Sequence, residues 1–122
     1  LARDWDESPW IDAGARVGDL LRLARERNWS HVVVRGPGNP EVLGMVSIDR
    51  ILFAGEPDLE QSLEPWIEPA LLADEKDRLE VLLRRMHGSG RPLAVVQDAQ
   101  GTQIGTLQRQ DILQLIFGEL RL

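Results

Sequence analysis

Cysteine is absent from this 122-residue chain. Disulfides, thiol nucleophiles and thiolate metal sites are therefore excluded, and the absence suits a reducing compartment. No apolar run approaches the roughly 18–20 residues that would span a bilayer. The start, Leu1-Ala2-Arg3-Asp4-Trp5, has neither an initiator Met nor a secretory pattern. It points to a piece of a longer protein, so a membrane or targeting segment could stand outside it. Basic residues are in deficit: net charge is −6 and the pI about 4.9. An acidic surface repels phosphate backbones, which argues against nucleic acid as a partner. Phosphate-cradling loops, HExxH and H-x-x-x-H spacings and nucleophile elbows are all missing. His31 and His87 lie far apart, so no metal site is expected. The chain is not expected to be an enzyme.

What the chain has is a repeat. Ser30–Leu52 aligns with Arg91–Leu113 without a gap, an offset of 61 residues (Ser30 onto Arg91). Val17, Leu20, Leu21 and Ala24 fall at helical spacing over residues 15–28, and Asn28 is a stop. Residues 32–35 and 42–46 read as strands around the turn cluster Gly36-Pro37-Gly38-Asn39-Pro40. Ser47 has the chemistry of an N-cap for a helix over 48–53. After an acidic, proline-marked connector, residues 70–73 read as a strand. Asp74 would then cap a helix over about 75–87, and Gly88-Ser89-Gly90 would end it. Strands over 93–97 and 103–107 flank a turn at 98–101, and a last helix runs over about 109–117. Each repeat reads β-α-β-β-α. The expected class is α/β (α+β type), with two repeats packed as a pseudo-twofold pair that cover each other's apolar faces. The expected division is repeat 1 at 1–57, a solvated acidic linker at 58–69 and repeat 2 at 70–122.

The repeat of about 60 residues carries Gly-hydrophobic-hydrophobic-Ser/Thr-x-x-Asp at its second hairpin strand and final helix. It resembles a CBS domain, and two in tandem resemble a Bateman module. Leu93-Ala94-Val95-Val96-Gln97-Asp98-Ala99-Gln100-Gly101, Gly105-Thr106-Leu107-Gln108-Arg109-Gln110-Asp111-Ile112-Leu113 and Ile116-Phe117-Gly118-Glu119-Leu120 resemble the CorC/HlyC hemolysin-like subgroup. That resemblance implies the cytosolic regulatory part of a membrane protein associated with magnesium and cobalt efflux, with a membrane domain and a C-terminal domain outside this chain. It implies no required cofactor. An adenine nucleotide, AMP or ATP, would be the ligand.

In the family, the Ser/Thr holds a phosphate at a helix N-terminus, and the Asp accepts hydrogen bonds from ribose hydroxyls. Neither copy here is complete. The first keeps Ser47 but has Arg50 in place of the Asp. The second keeps Asp111 but has Gln108 in place of the hydroxyl. Asp49 sits about 100° round the helix from position 50. Ser47, Arg50, Arg109 and Asp111 are the candidate nucleotide-binding residues, with the arginines as partners for phosphates. The plainer alternative makes Ser47 and Asp111 ordinary helix-start residues. The chain would then be a structural dimerisation module with degenerate clefts. On either reading a homodimer through the CBS helices is expected, with apolar faces such as those of Leu113, Ile116 and Phe117 available for it. Trp5, Trp10, Trp29 and Trp66 are expected to seal core edges.

Overall fold

Strand β1 (Arg3–Asp4) precedes two runs of the same element order. The first is β2 (Trp10–Asp12), α1 (Val17–Arg27), β3 (His31–Arg35), β4 (Val42–Ser47) and α2 (Ile48–Phe53). The second is β5 (Leu72–Asp74), α3 (Leu79–Ser89), β6 (Leu93–Gln97), β7 (Gln103–Gln108) and α4 (Arg109–Glu119). This computed structural model describes residues 2–36 and 41–119. Pro37, Gly38, Asn39 and Pro40 of the expected turn, and Leu120 of the last motif, lie outside them.

The chain divides into two compact units: a first unit, Pro9–Ala70, and a second that joins Leu1–Ser8 to Leu71–Leu122. In the first, the sheet order is β2-β3-β4, with β2 parallel and β4 antiparallel to β3. Val17, Leu20 and Ala24 of α1 and Ile48 and Ile51 of α2 pack with Val32, Val34 and Val46 into one core. In the second, the order is β1-β7-β6-β5. Leu82 and Met86 of α3 and Ile112 of α4 pack with Ala94, Val96 and Leu107. Each fully buried Val, Leu, Ile or Met side chain among these contributes about 1.5–3 kcal/mol. Asn28 (φ 57°) and Gly90 (φ 68°) end α1 and α3 in the left-handed conformation that releases a helix into a strand.

Four details differ from the sequence reading. The offset of 61 holds for Val42 and Ile48 against Gln103 and Arg109. Val17 and His31 instead match Leu79 and Leu93, 62 positions on, because the first hairpin loop is one residue longer. Asp74 does not cap a helix. It closes β5, its backbone N–H is taken by Asp77 Oδ2 at 2.9 Å, and α3 begins only after Arg78. Leu1–Ser8 belongs with the second repeat, where β1 extends the sheet by pairing antiparallel with β7.

The fourth concerns the connector, which is part of the first unit and not a solvated linker. Leu63 is fully buried and Trp66 and Ile67 pack on the core, while Glu60 and Glu64 point out. Gln61 O and Leu59 O accept from Val17 N and Gly18 N at 3.0 and 2.9 Å, satisfying two of the free donors in the first turn of α1. Glu68 exchanges two backbone hydrogen bonds with Met45, both 2.8 Å. Apolar residues interleaved with the acids give this segment a buried side.

The two units are thereby extended alike. The segment that precedes one repeat in the chain lies along the last strand of the other. Arg3 stands opposite Thr106, and Glu68 opposite Met45. Gly44 and Gly105 mark the points of closest approach. A Cβ on Gly105 would overlap the Arg3 carbonyl, and one on Gly44 the Glu68 carbonyl.

Candidate functional site

Ser47 ends β4 and caps α2, its Oγ accepting from Arg50 N at 3.5 Å. This is the plain capping geometry, and α2, at six residues, is less than two turns long. Arg50 is exposed on α2. Its Nη1 pairs with Glu68 Oε1, and its guanidinium carbon lies 5.8 Å from the centre of the Trp66 ring. The first unit therefore brings Ser47 and Arg50 together, with Arg50 engaged by the connector. Asp49 is exposed.

In the second unit, Arg109 and Asp111 both stand in the first turn of α4, but two residues apart places them about 200° from each other round the helix. Arg109 lines a groove of about 540 Å³ between α3 and α4, with Leu83, Arg84, His87, Leu113 and Ile116. Asp111 instead meets β1. Its Oδ2 accepts from Arg3 Nε at 2.8 Å and its Oδ1 from Arg3 Nη2 at 2.9 Å, a two-pronged charged pair. The Asp111 side chain is 17% exposed and that of Arg3 39%. Hydrogen bonding to Asp111 raises the Arg3 pKa above its ordinary value, against a smaller desolvation effect.

The backbone that carries Arg3 is fixed by other contacts. Thr106 Oγ1 donates to Ser8 Oγ at 2.7 Å, both residues being buried. Ser8 Oγ lies 2.8 and 3.1 Å from the carbonyls of Asp4 and Arg3. Trp5 Nε1 donates to Gln103 O at 3.1 Å. Arg3 and Glu68 are the two site residues that sequence reasoning missed. The signal was present as a sign reversal: position 50 is cationic where position 111 is anionic, and the partner segments carry the opposite charges.

Chemically, Asp111 is an acceptor for paired donors, whether a guanidinium fork or two vicinal hydroxyls. Arg50 can only donate. Among the described residues, no group of three His, Asp or Glu side chains gathers into a possible metal site. No helix there is long and apolar enough to cross a membrane.

Comparison with known proteins places this architecture. Residues 4–56 match the family model of the CBS domain. A UPF0053 protein of Mycobacterium tuberculosis is 24% identical over 118 residues, covering 93% of this chain and 27% of that protein. One from Mycoplasma pneumoniae is 30% identical over 112 residues, covering 84% and 26%. The chain thus spans about a quarter of the length of the curated relatives it matches. The solved CBS domain of a bacterial CNNM/CorC family Mg2+ transporter, in complex with ATP, superposes with a TM-score of 0.84 at 24% identity, covering 97% of this chain and 84% of that one.

Proposed function

We propose that this chain, whose residues 4–56 match the CBS domain model and which is similar over most of its length to UPF0053 proteins, has as its two units a CBS pair that regulates a larger membrane transport protein for divalent cations. The module works at the cytoplasmic face and responds to an adenine nucleotide. Binding shifts the arrangement of the pair, and the attached membrane domain follows. The role is regulatory and not catalytic.

The observation that carries this reading is Asp111. It stands in the first turn of α4 with both oxygens directed at paired donors, the geometry a ribose diol requires. Arg109, on the other side of the same turn, is a cation available to phosphates. The ATP complex of the CNNM/CorC relative supports the choice of ligand. Ser47 and Arg50 contribute less, since one caps a short helix and the other is paired with Glu68.

A second reading, a homodimerisation module, is favoured by the α3/α4 groove, whose walls are Leu83, Leu113 and Ile116. Val81, Leu115 and Phe117 lie exposed on the same two helices. One experiment separates the two. ATP, ADP and AMP are titrated into the chain with and without Mg2+, and the melting temperature is followed. A ligand at a hundredfold excess over its Kd adds about 2.7 kcal/mol of stability. A dose-dependent rise that is lost in Asp111→Ala supports the nucleotide sensor. A flat response at millimolar nucleotide, from a chain that sediments as a dimer, supports the second reading.

A further inference from the structure

The Arg3–Asp111 pair engages the very carboxylate that a nucleoside would need. We propose that this pair is a latch: Arg3 covers the ribose acceptor, and a ribose-bearing ligand binds by displacing the guanidinium. The inference rests on the reading of Asp111 given above and adds control of that site by the N-terminal segment.

The fit of the competitors comes first. Arg3 offers Nε and Nη2 to the two oxygens of Asp111, one bond each, at 2.8 and 2.9 Å. Each oxygen keeps a further lone pair, but two vicinal hydroxyls would approach across the same carboxylate edge that the guanidinium fork occupies, so the two compete for that edge. The second point is that the latch can open cheaply. The backbone of β1 is held by its pairing with β7 and by the buried Ser8–Thr106 hydroxyl bond. The side chain of Arg3 can therefore leave Asp111 while its strand stays in place, and opening costs the ion pair alone.

The third point is the other unit. There the helix residue is Arg50 and the edge-segment residue is Glu68. Releasing that pair uncovers a cation, which cannot accept a bond from a hydroxyl. The same mechanical contact therefore guards a ribose acceptor in the second unit only, and one nucleoside is expected per chain.

A latched site binds with its intrinsic affinity reduced by the fraction of time the latch is open. A partly exposed ion pair withholds about two- to fivefold in this way. The test is calorimetric titration of adenosine and of ATP into the 122-residue chain and its variants. Arg3→Gln keeps the length of the side chain but removes the fork and the charge. Arg3→Lys keeps the charge and loses only the fork, and serves if the first variant folds poorly. Adenosine decides the outcome, because it has the diol but no phosphate that Arg3 could serve. Expected are a Kd for adenosine lowered about two- to fivefold by either Arg3 variant, a fitted stoichiometry of one, and loss of binding in Asp111→Ala. The Arg3 Nε–H resonance of the unmodified chain is also expected to move as adenosine is added. If Asp111→Ala abolishes binding while both Arg3 variants leave the adenosine Kd unchanged or higher, the site stands and the latch is refuted. If neither the native chain nor an Arg3 variant binds adenosine or ATP at millimolar concentration, the reading of Asp111 fails and the latch falls with it.

Discussion

The two units solve one mechanical problem with opposite charges. Each lays a segment from elsewhere in the chain along its last strand, over a glycine, and ties that segment to the following helix by an ion pair. In the first unit the helix supplies the cation, Arg50, and the segment the anion, Glu68. In the second the helix supplies the anion, Asp111, and the segment the cation, Arg3. What the units share is the tie and not the carboxylate. The reversal also gives each segment an address. Arg3 beside Arg50, or Glu68 beside Asp111, would set like charges at contact distance, which penalises the wrong pairing.

The largest effect is expected at the glycines over which the two segments are seated. At Gly105 an added Cβ would strike the Arg3 carbonyl, and φ is 155°, a conformation that side chains rarely adopt. At Gly44 it would strike the Glu68 carbonyl and the Ile67 side chain, without an unfavourable φ. Overpacking costs about 1–3 kcal/mol, and backbone strain adds a similar amount only at Gly105. Gly105→Ala should therefore destabilise more than Gly44→Ala in urea denaturation. Each should also disturb its own reporter: the Trp5 indole N–H, bonded to Gln103 O, for Gly105→Ala, and the Trp66 indole N–H, bonded to Gln61 Oε1, for Gly44→Ala. Equal costs, or the wrong indole moving, would mean that these glycines are not where the segments are seated.

That seating shows where sequence reasoning stops. The elements α1, α2, β3, β4, β6 and β7 were legible because each carries a period of its own, bounded by Asn28, Ser47 or a Gly-rich turn. β1 and β2, at two and three residues, are too short to show a period. The Asp74 N-cap was a reasonable reading of Asp-x-x-Asp before an apolar run. In the fold, the Asp77 carboxylate closes a turn ahead of the helix instead, accepting from the Asp74 backbone N–H. Asp111 was legible through its place in a motif. Its partner was not, because Arg3 is 108 positions away and nothing local marks a strand that crosses to the other repeat. The connector's charge points to solvent, yet Leu63, Trp66 and Ile67 are spaced through it and pack on the core.

A smaller effect sharpens the charge reversal itself. Arg3 and Asp111 have side chains 39% and 17% exposed, Arg50 and Glu68 53% and 36%. The more sheltered, two-pronged pair should couple more strongly, at about 1 kcal/mol against a few tenths for the other. Asp111→Arg is expected to destabilise, and adding Arg3→Glu should restore most of the loss. Arg50→Glu with Glu68→Arg forms the weaker cycle. Two cycles of equal strength would show that shelter and the two-pronged geometry do not set the strength of the tie, and no recovery in the first double variant would show that charge complementarity does not.

The smallest expected effect lies at the starts of the helices. In α1 the third residue is Asp19, whose Oδ2 accepts from Arg16 N at 3.0 Å. At the same place in α3 stands Val81, and that helix has no side-chain cap. The Arg16 backbone bond, with lesser help from Arg22, holds the Asp19 carboxyl below its ordinary value of 3.8. A carboxyl lowered by folding stabilises the native state above its unfolded pKa, and the contribution is lost as pH falls through the folded value. Asp19→Asn should therefore lower stability slightly at neutral pH, and the difference from the parent chain should vanish as pH falls below about 4. A carboxyl-carbon NMR titration reads this directly: the Asp19 midpoint is expected below 3.8, and a midpoint at or above that value would mean the bond from Arg16 N–H to Asp19 does not persist in solution. The helix start of the first unit would then be held by the connector carbonyls at Leu59 and Gln61 alone.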